Sequence, residues 1–173
     1  MTTVNAAART LEEFMGQALA MEQDAAYRYT LFADAMEGHN DDVAGMFRKM
    51  AYYEGEHAKE IMAQMGWTQA PPEPAGGYEW PDLESPEAAP FDEAHYLMGP
   101  WHMLQLALAA ELRAERFFGE LASQTTDPEV RKAALALQAE EREHVDLVRA
   151  WLAKVPAPEQ GWSDDPDPPR AVD

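Results

Sequence analysis

Glu54-Gly55-Glu56-His57 and Glu141-Arg142-Glu143-His144 repeat one spacing, Glu-x-x-His, and this repeat constrains the chain more than any other feature. In a helix, residues three apart share a face, so each pair points a carboxylate and an imidazole the same way. One such pair means little in a chain with 32 Asp and Glu residues. Two of them, on matching helices, imply a shared site, which needs one further inward Glu from each of two more helices.

Both further carboxylates can be found. Over residues 8–37, Met15, Ala18, Glu22, Ala25, Tyr29, Phe32 and Met36 recur at alternating spacings of three and four, which predicts a long helix. Glu22 sits inside that apolar stripe, where a charge is costly unless something neutralises it. Gly38 signals a stop, and Asn40-Asp41-Asp42 offers caps for a second helix over 42–66. Its stripe reads Val43, Phe47, Met50, Glu54, His57 and Ile61, with Glu56 and Lys59 on the outer faces.

The composition then changes. Ala70-Pro71-Pro72-Glu73-Pro74-Ala75-Gly76-Gly77, followed by Pro81, Pro86 and Pro90, cannot continue a helix. This stretch, about 68–92, reads as a long crossover that Tyr78, Trp80 and Leu83 could anchor, with a short helix expected over 91–98. Pro100 opens a third helix to about Gln124, striped by Trp101, Leu104, Leu108, Glu111, Glu115, Phe118 and Ala122. Asp127-Pro128 starts a fourth, striped by Val130, Ala134, Leu137, Glu141, His144, Val148 and Trp151 and ending before Pro156. Residues 1–155 are thus expected to be one domain, and 156–173 a loose tail rich in Pro and Asp.

Glu22 to Glu54 is 32 positions and Glu111 to Glu141 is 30, so each half supplies one lone Glu and one Glu-x-x-His. The fold expected is all-α: a four-helix bundle of two helix pairs joined by a long crossover. Four carboxylates and two imidazoles suit a pair of divalent first-row ions. Ionised, the four carboxylates offset two such ions, and without them they repel one another, which predicts raised carboxylate pKa values. Glu54 and Glu141 would bridge, His57 and His144 would each take one ion, and Glu22 and Glu111 would be terminal. The alternative is that each buried Glu-x-x-His satisfies itself by hydrogen bonds. Glu115 is either a seventh ligand or an outward carboxylate, and Tyr29 either hydrogen-bonds a ligand or fills core. His39, His95 and His102 lie near helix ends, where surface or capping roles are expected.

Charge and cysteine content narrow the function classes. A net charge of −19, with a pI near 4.4, disfavours nucleic acid and anionic membranes as partners. With no cysteine, thiolate zinc, iron–sulfur and four-thiolate iron sites are excluded within this chain. No apolar run reaches a membrane span, and Met1-Thr2-Thr3-Val4-Asn5 lacks the features of a signal peptide, so a cytoplasmic location is expected.

The segment Glu22-Gln23-Asp24-Ala25-Ala26-Tyr27-Arg28-Tyr29-Thr30-Leu31-Phe32-Ala33 resembles the first ligand helix of rubrerythrins. Met46-Phe47 and Glu54-Gly55-Glu56-His57-Ala58-Lys59 resemble their second. Ala110-Glu111, Glu115 and Glu140-Glu141-Arg142-Glu143-His144 match the third and fourth more loosely, so the resemblance spans about residues 10–153. It implies a ferritin-like bundle holding two iron ions, with manganese or a mixed pair as alternatives, on Glu22, Glu54, His57, Glu111, Glu141 and His144. It implies reduction of hydrogen peroxide, or oxidation of Fe²⁺ by O₂ or peroxide as in related proteins. Glu115 would be the helix-three carboxylate that changes ligation, although its spacing from Glu111 differs from the common pattern. Tyr29 matches a family tyrosine beside the ligands, whereas the helix-three counterpart is Phe118, without a hydroxyl. The rubredoxin part is not found in this chain, so a separate electron-donor protein is implied, and a homodimer is expected by resemblance. A metal-bound structural or cargo protein without turnover is a further alternative, with the acidic tail as its docking segment.

Overall fold

A computed structural model describes residues 10–80, 86 and 98–161 of the chain. Among the described residues there are four helices: α1 (Leu11–Met36), α2 (Asp41–Met65), α3 (Pro100–Gln124) and α4 (Pro128–Leu152). Their ends are set by the residues that the sequence offers. Thr10 and Glu13 form a reciprocal capping box at the start of α1. Asn40 accepts from the Val43 amide at 3.1 Å, and Asp127 accepts from the Glu129 and Val130 amides ahead of α4. Gly66 closes α2 at φ 69°, a left-handed conformation that only glycine adopts without steric cost.

Each helix is long enough to run the length of the bundle, and the helices approach most closely within the pairs α1–α2 and α3–α4. Large side chains bridge the space between pairs. Phe14 on α1 meets Phe118 on α3 edge to face, with ring centroids 6.2 Å apart. The six residues singled out above divide this core in two. On one side lie Tyr29, Phe32, Phe47, Met50, Leu104 and Val148; on the other lie Phe14, Leu19, Ile61, Phe118, Leu121 and Leu137. Both apolar blocks draw on all four helices, so the layer between them is held from above and below.

The crossover leaves α2 at Trp67 and returns along α1 and α3. Gln17 Nε2 donates to the Glu79 carbonyl at 2.9 Å, Arg113 Nε donates to the Pro86 carbonyl at 3.0 Å, and Trp80 packs on Phe117. Trp80 and Tyr78 therefore hold it against the bundle as expected. Leu83, His95, the short helix expected over 91–98 (save residue 98, which is not helical), and the tail beyond 161 lie outside the described residues. His102 is a capping residue: its Nδ1 accepts from the Gly99 amide at 3.1 Å, while His39 is exposed. Among the described residues, no helix is long and apolar enough to cross a membrane.

Candidate metal centre

Glu22, Glu54, Glu111 and Glu141 are fully buried, one per helix and all in the middle layer. His144 is 5% exposed, and His57 keeps a partly open side chain. The spacing explains this convergence. An apolar stripe at alternating intervals of three and four must face the core, and the polar residues replacing its central members go inward with it.

The donors meet around the two imidazoles, whose rings stack at 5.3 Å. His144 Nδ1 lies 2.9 Å from Glu54 Oε1, 3.4 Å from Glu111 Oε2 and 3.6 Å from Glu141 Oε2. His57 Nδ1 lies 3.6 Å from Glu54 Oε2, 3.7 Å from Glu22 Oε2 and 3.7 Å from Glu140 Oε2. Three donor groups result, each with ligand atoms within 4.8 Å of one another: Glu54–His57–His144, Glu22–His57–Glu140 and Glu111–Glu141–His144. Glu54 stands between the two imidazoles.

Proximity here is not hydrogen bonding. Both oxygens of Glu22, Glu54 and Glu141, Oε2 of Glu111, and Nδ1 of His57 and His144 are buried without a hydrogen-bond partner among the described residues. Buried polar atoms are normally satisfied, and leaving this many open in one layer would be costly. Oxygen and nitrogen donors of this kind fit divalent first-row ions, and a bound ion would satisfy the open atoms together. The alternative of Glu-x-x-His pairs that satisfy themselves does not match this arrangement.

The electrostatics show how the layer is held without ions. Burial pushes the Glu22 carboxyl up to about 8, against the pull of His57 and with help from Glu54. Burial likewise raises Glu141 well above the usual carboxylate range. Burial would raise Glu54 too, yet the close approach of His144 and His57 brings it down to about 2. The expectation of raised carboxylates therefore holds for Glu22 and Glu141 and fails for Glu54, because the imidazoles are charged. Burial opposes a charge on His57, but Glu22 and Glu54 raise it to about 10. Burial opposes it on His144 as well, and Glu111, Glu141 and Glu54 outweigh that and raise it.

Tyr29 donates its hydroxyl hydrogen to Glu111 Oε1, so it braces a ligand candidate as well as filling core. Glu115 falls outside the three donor groups: its Oε1 accepts from Arg142 Nε at 2.7 Å. Phe118 packs with Phe14 and Phe117. Two neighbours of the centre were not anticipated. Glu140 lies beside His57, and burial raises its carboxyl. Tyr53 stacks on His144 with centroids 6.3 Å apart. Glu140 had a sequence signal, since Leu137, Glu140 and His144 also follow the three–four alternation and compete with Glu141 for the stripe.

Comparison with known proteins bears on the family and the fold. The rubrerythrin family model matches residues 13–79, which covers α1, α2 and the start of the crossover. A 2.00 Å crystal structure of an uncharacterised conserved protein from Magnetospirillum magnetotacticum MS-1 is similar over 87% of this chain and 99% of that one, at 38% identity and a TM-score of 0.70. No curated protein matches significantly. With its four-helix bundle and its buried carboxylate–imidazole layer, the chain belongs to the rubrerythrin-like family of ferritin-like proteins.

Proposed function

We propose that this protein is a di-iron oxidoreductase that reduces hydrogen peroxide with electrons from a separate donor protein. One observation carries the reading: donors from four helices converge, and both oxygens of Glu22, Glu54 and Glu141, Oε2 of Glu111 and Nδ1 of His57 and His144 lack hydrogen bonds among the described residues. The family supports iron as the metal, with manganese as the alternative. When bound, a reduced iron pair supplies the two electrons that O–O cleavage consumes, and two protons complete the conversion of peroxide to two waters.

The chain's own residues do the rest. The carboxylates balance the ionic charge and the imidazoles fix the donor geometry, while the apolar blocks above and below keep bulk water from the layer. Tyr29 holds a proton at its hydroxyl beside Glu111, and its ring is fixed by stacking on Phe47 at 5.9 Å. Phe118 offers no hydroxyl, so proton delivery through tyrosine is confined to the Tyr29 side. A cytoplasmic setting belongs to the same reading, as does pairing as a homodimer, which the resemblance alone supports.

The rival reading is a ferroxidase, in which iron is the substrate and leaves. It is favoured by one feature: an acidic cavity between α2 and α4 that reaches His57 and Glu140. Anaerobic loading with Fe²⁺ followed by stopped-flow oxidation separates the two. Two tightly held irons per chain, oxidised faster by peroxide than by O₂ and retained afterwards, are expected. Iron that oxidises and departs would establish the rival, and failure to bind any metal would end both.

A further inference from the structure

Among the described residues, the ligand set read from the stripes is buried except around His57. Of the residues in the three donor groups, only His57 and Glu140 are partly exposed, with side chains 17% and 34% accessible. Both line a cavity of about 290 Å³ that opens between α2 and α4 and is also bordered by Leu11 and Met15 of α1. Glu60 and Glu129 add carboxylates to its wall beside Glu140, against Lys132 and the His57 imidazole, so acidic groups outnumber basic ones and the wall favours a positive visitor. At its inner end, one donor atom each from Glu22, His57 and Glu140 come within 4.8 Å of one another.

We propose that Glu140 is a seventh metal ligand and a fifth carboxylate, the first to hold a divalent first-row cation arriving through the α2–α4 cavity, and that it shares that cation with Glu22 and His57. The inference rests on the di-metal reading above and goes beyond it in naming a residue and a route. It does not stand on the acidity of the cavity alone. Glu22 is fully buried behind Glu140, and both its oxygens lack a hydrogen bond among the described residues, so an unsatisfied donor already waits at the inner end. Helix α3 does not supply this ligand: its second carboxylate, Glu115, is engaged by Arg142. Being partly exposed, Glu140 can swing between solvent and the layer at little packing cost, as a capturing ligand must.

The test compares wild type, Glu140→Gln, Glu140→Ala and Glu143→Gln as full chains, titrated anaerobically with Co²⁺ and followed by visible absorption and stopped flow. Glu143 is exposed on the same helix, so its variant removes the same charge outside the cavity. Wild type should take up two Co²⁺ ions. Both Glu140 variants should load about tenfold more slowly and bind one ion at least about tenfold more weakly, with the other within about twofold of wild type. Glu143→Gln should match wild type, and circular dichroism of the metal-free variants should be unchanged. Wild-type rate and affinity in both Glu140 variants would overturn the proposal and leave the di-metal reading standing. Equal slowing in Glu140→Gln and Glu143→Gln would overturn it in favour of bulk charge. A wild type that binds no Co²⁺ would overturn both readings together.

Discussion

On the His144 side of the centre, the described residues pack closely: Glu111 is braced by Tyr29, the imidazole stacks on Tyr53, and it is only 5% exposed. On the His57 side, the imidazole is partly exposed, its extra neighbour is a half-exposed carboxylate, and a cavity leads outward. Both sides derive from the same Glu plus Glu-x-x-His unit. The repeat supplies equivalent donors, and residues outside the repeat make one side a fixed post and the other a mouth. In the reading proposed above, exchange belongs to the open side and proton storage to the closed one.

The harshest way to break this comparison is to remove the residue common to both sides. Glu54→Ala takes away the carboxylate between the imidazoles and should reduce metal uptake by about a hundredfold or more, to less than one ion per chain by metal analysis. Uptake near the wild-type level would show that the two sides bind independently.

A pH series comes next in size. In the metal-free chain, Glu22 and His57 hold protons more tightly than in the unfolded chain, so stability should fall as pH rises. Glu22 contributes fully below 4.5 and loses its contribution by about 8; His57 contributes fully below 6.5 and loses it as pH passes about 10. Glu54 acts in the opposite sense, contributing above 4.5 and losing that contribution as pH falls toward about 2. The melting temperature without metal should therefore drop between about pH 6 and about pH 9, whereas loaded protein should gain, because ligands must release protons to bind. A flat metal-free profile would mean that neither Glu22 nor His57 holds its proton more tightly than in the unfolded chain.

Tyr29→Phe sharpens the contrast from the closed side. Losing the hydroxyl should cost the metal-free chain about 1–2 kcal/mol in urea unfolding and weaken one ion about tenfold, leaving the His57 side unaffected. The smallest effect is expected for Arg142→Ala, which breaks an ion pair whose arginine is largely exposed. A stability change under about 1 kcal/mol with unchanged metal content is expected, and altered metal content would mean that Glu115 reaches the centre once released.

Much of this was legible because helical periodicity is a strong signal and a carboxylate on an apolar stripe is an anomaly. Glu22 and Glu111 stand out for that reason, as do the caps at Asn40 and Asp127 and the break at Gly66. Glu140 was hidden because it and Glu141 both satisfy the alternation, and one-dimensional spacing cannot say that both reach the layer from slightly different angles. The Glu115–Arg142 pair was hidden for a related reason: an ion pair across helices depends on the rotation of two helices at once. The low pKa of Glu54 needed the stacked imidazoles, which the order of residues does not reveal.

The division of the core into two apolar blocks has a mechanical consequence. Each block clamps all four helices, and a layer of buried carboxylates and imidazoles lies between them. Without ions, that layer is the seam along which the bundle comes apart, and hydrogen exchange should find the amides around Glu22, Glu54, Glu111 and Glu141 opening before either block. Bound ions would rivet the seam, making two stacked bodies melt as one.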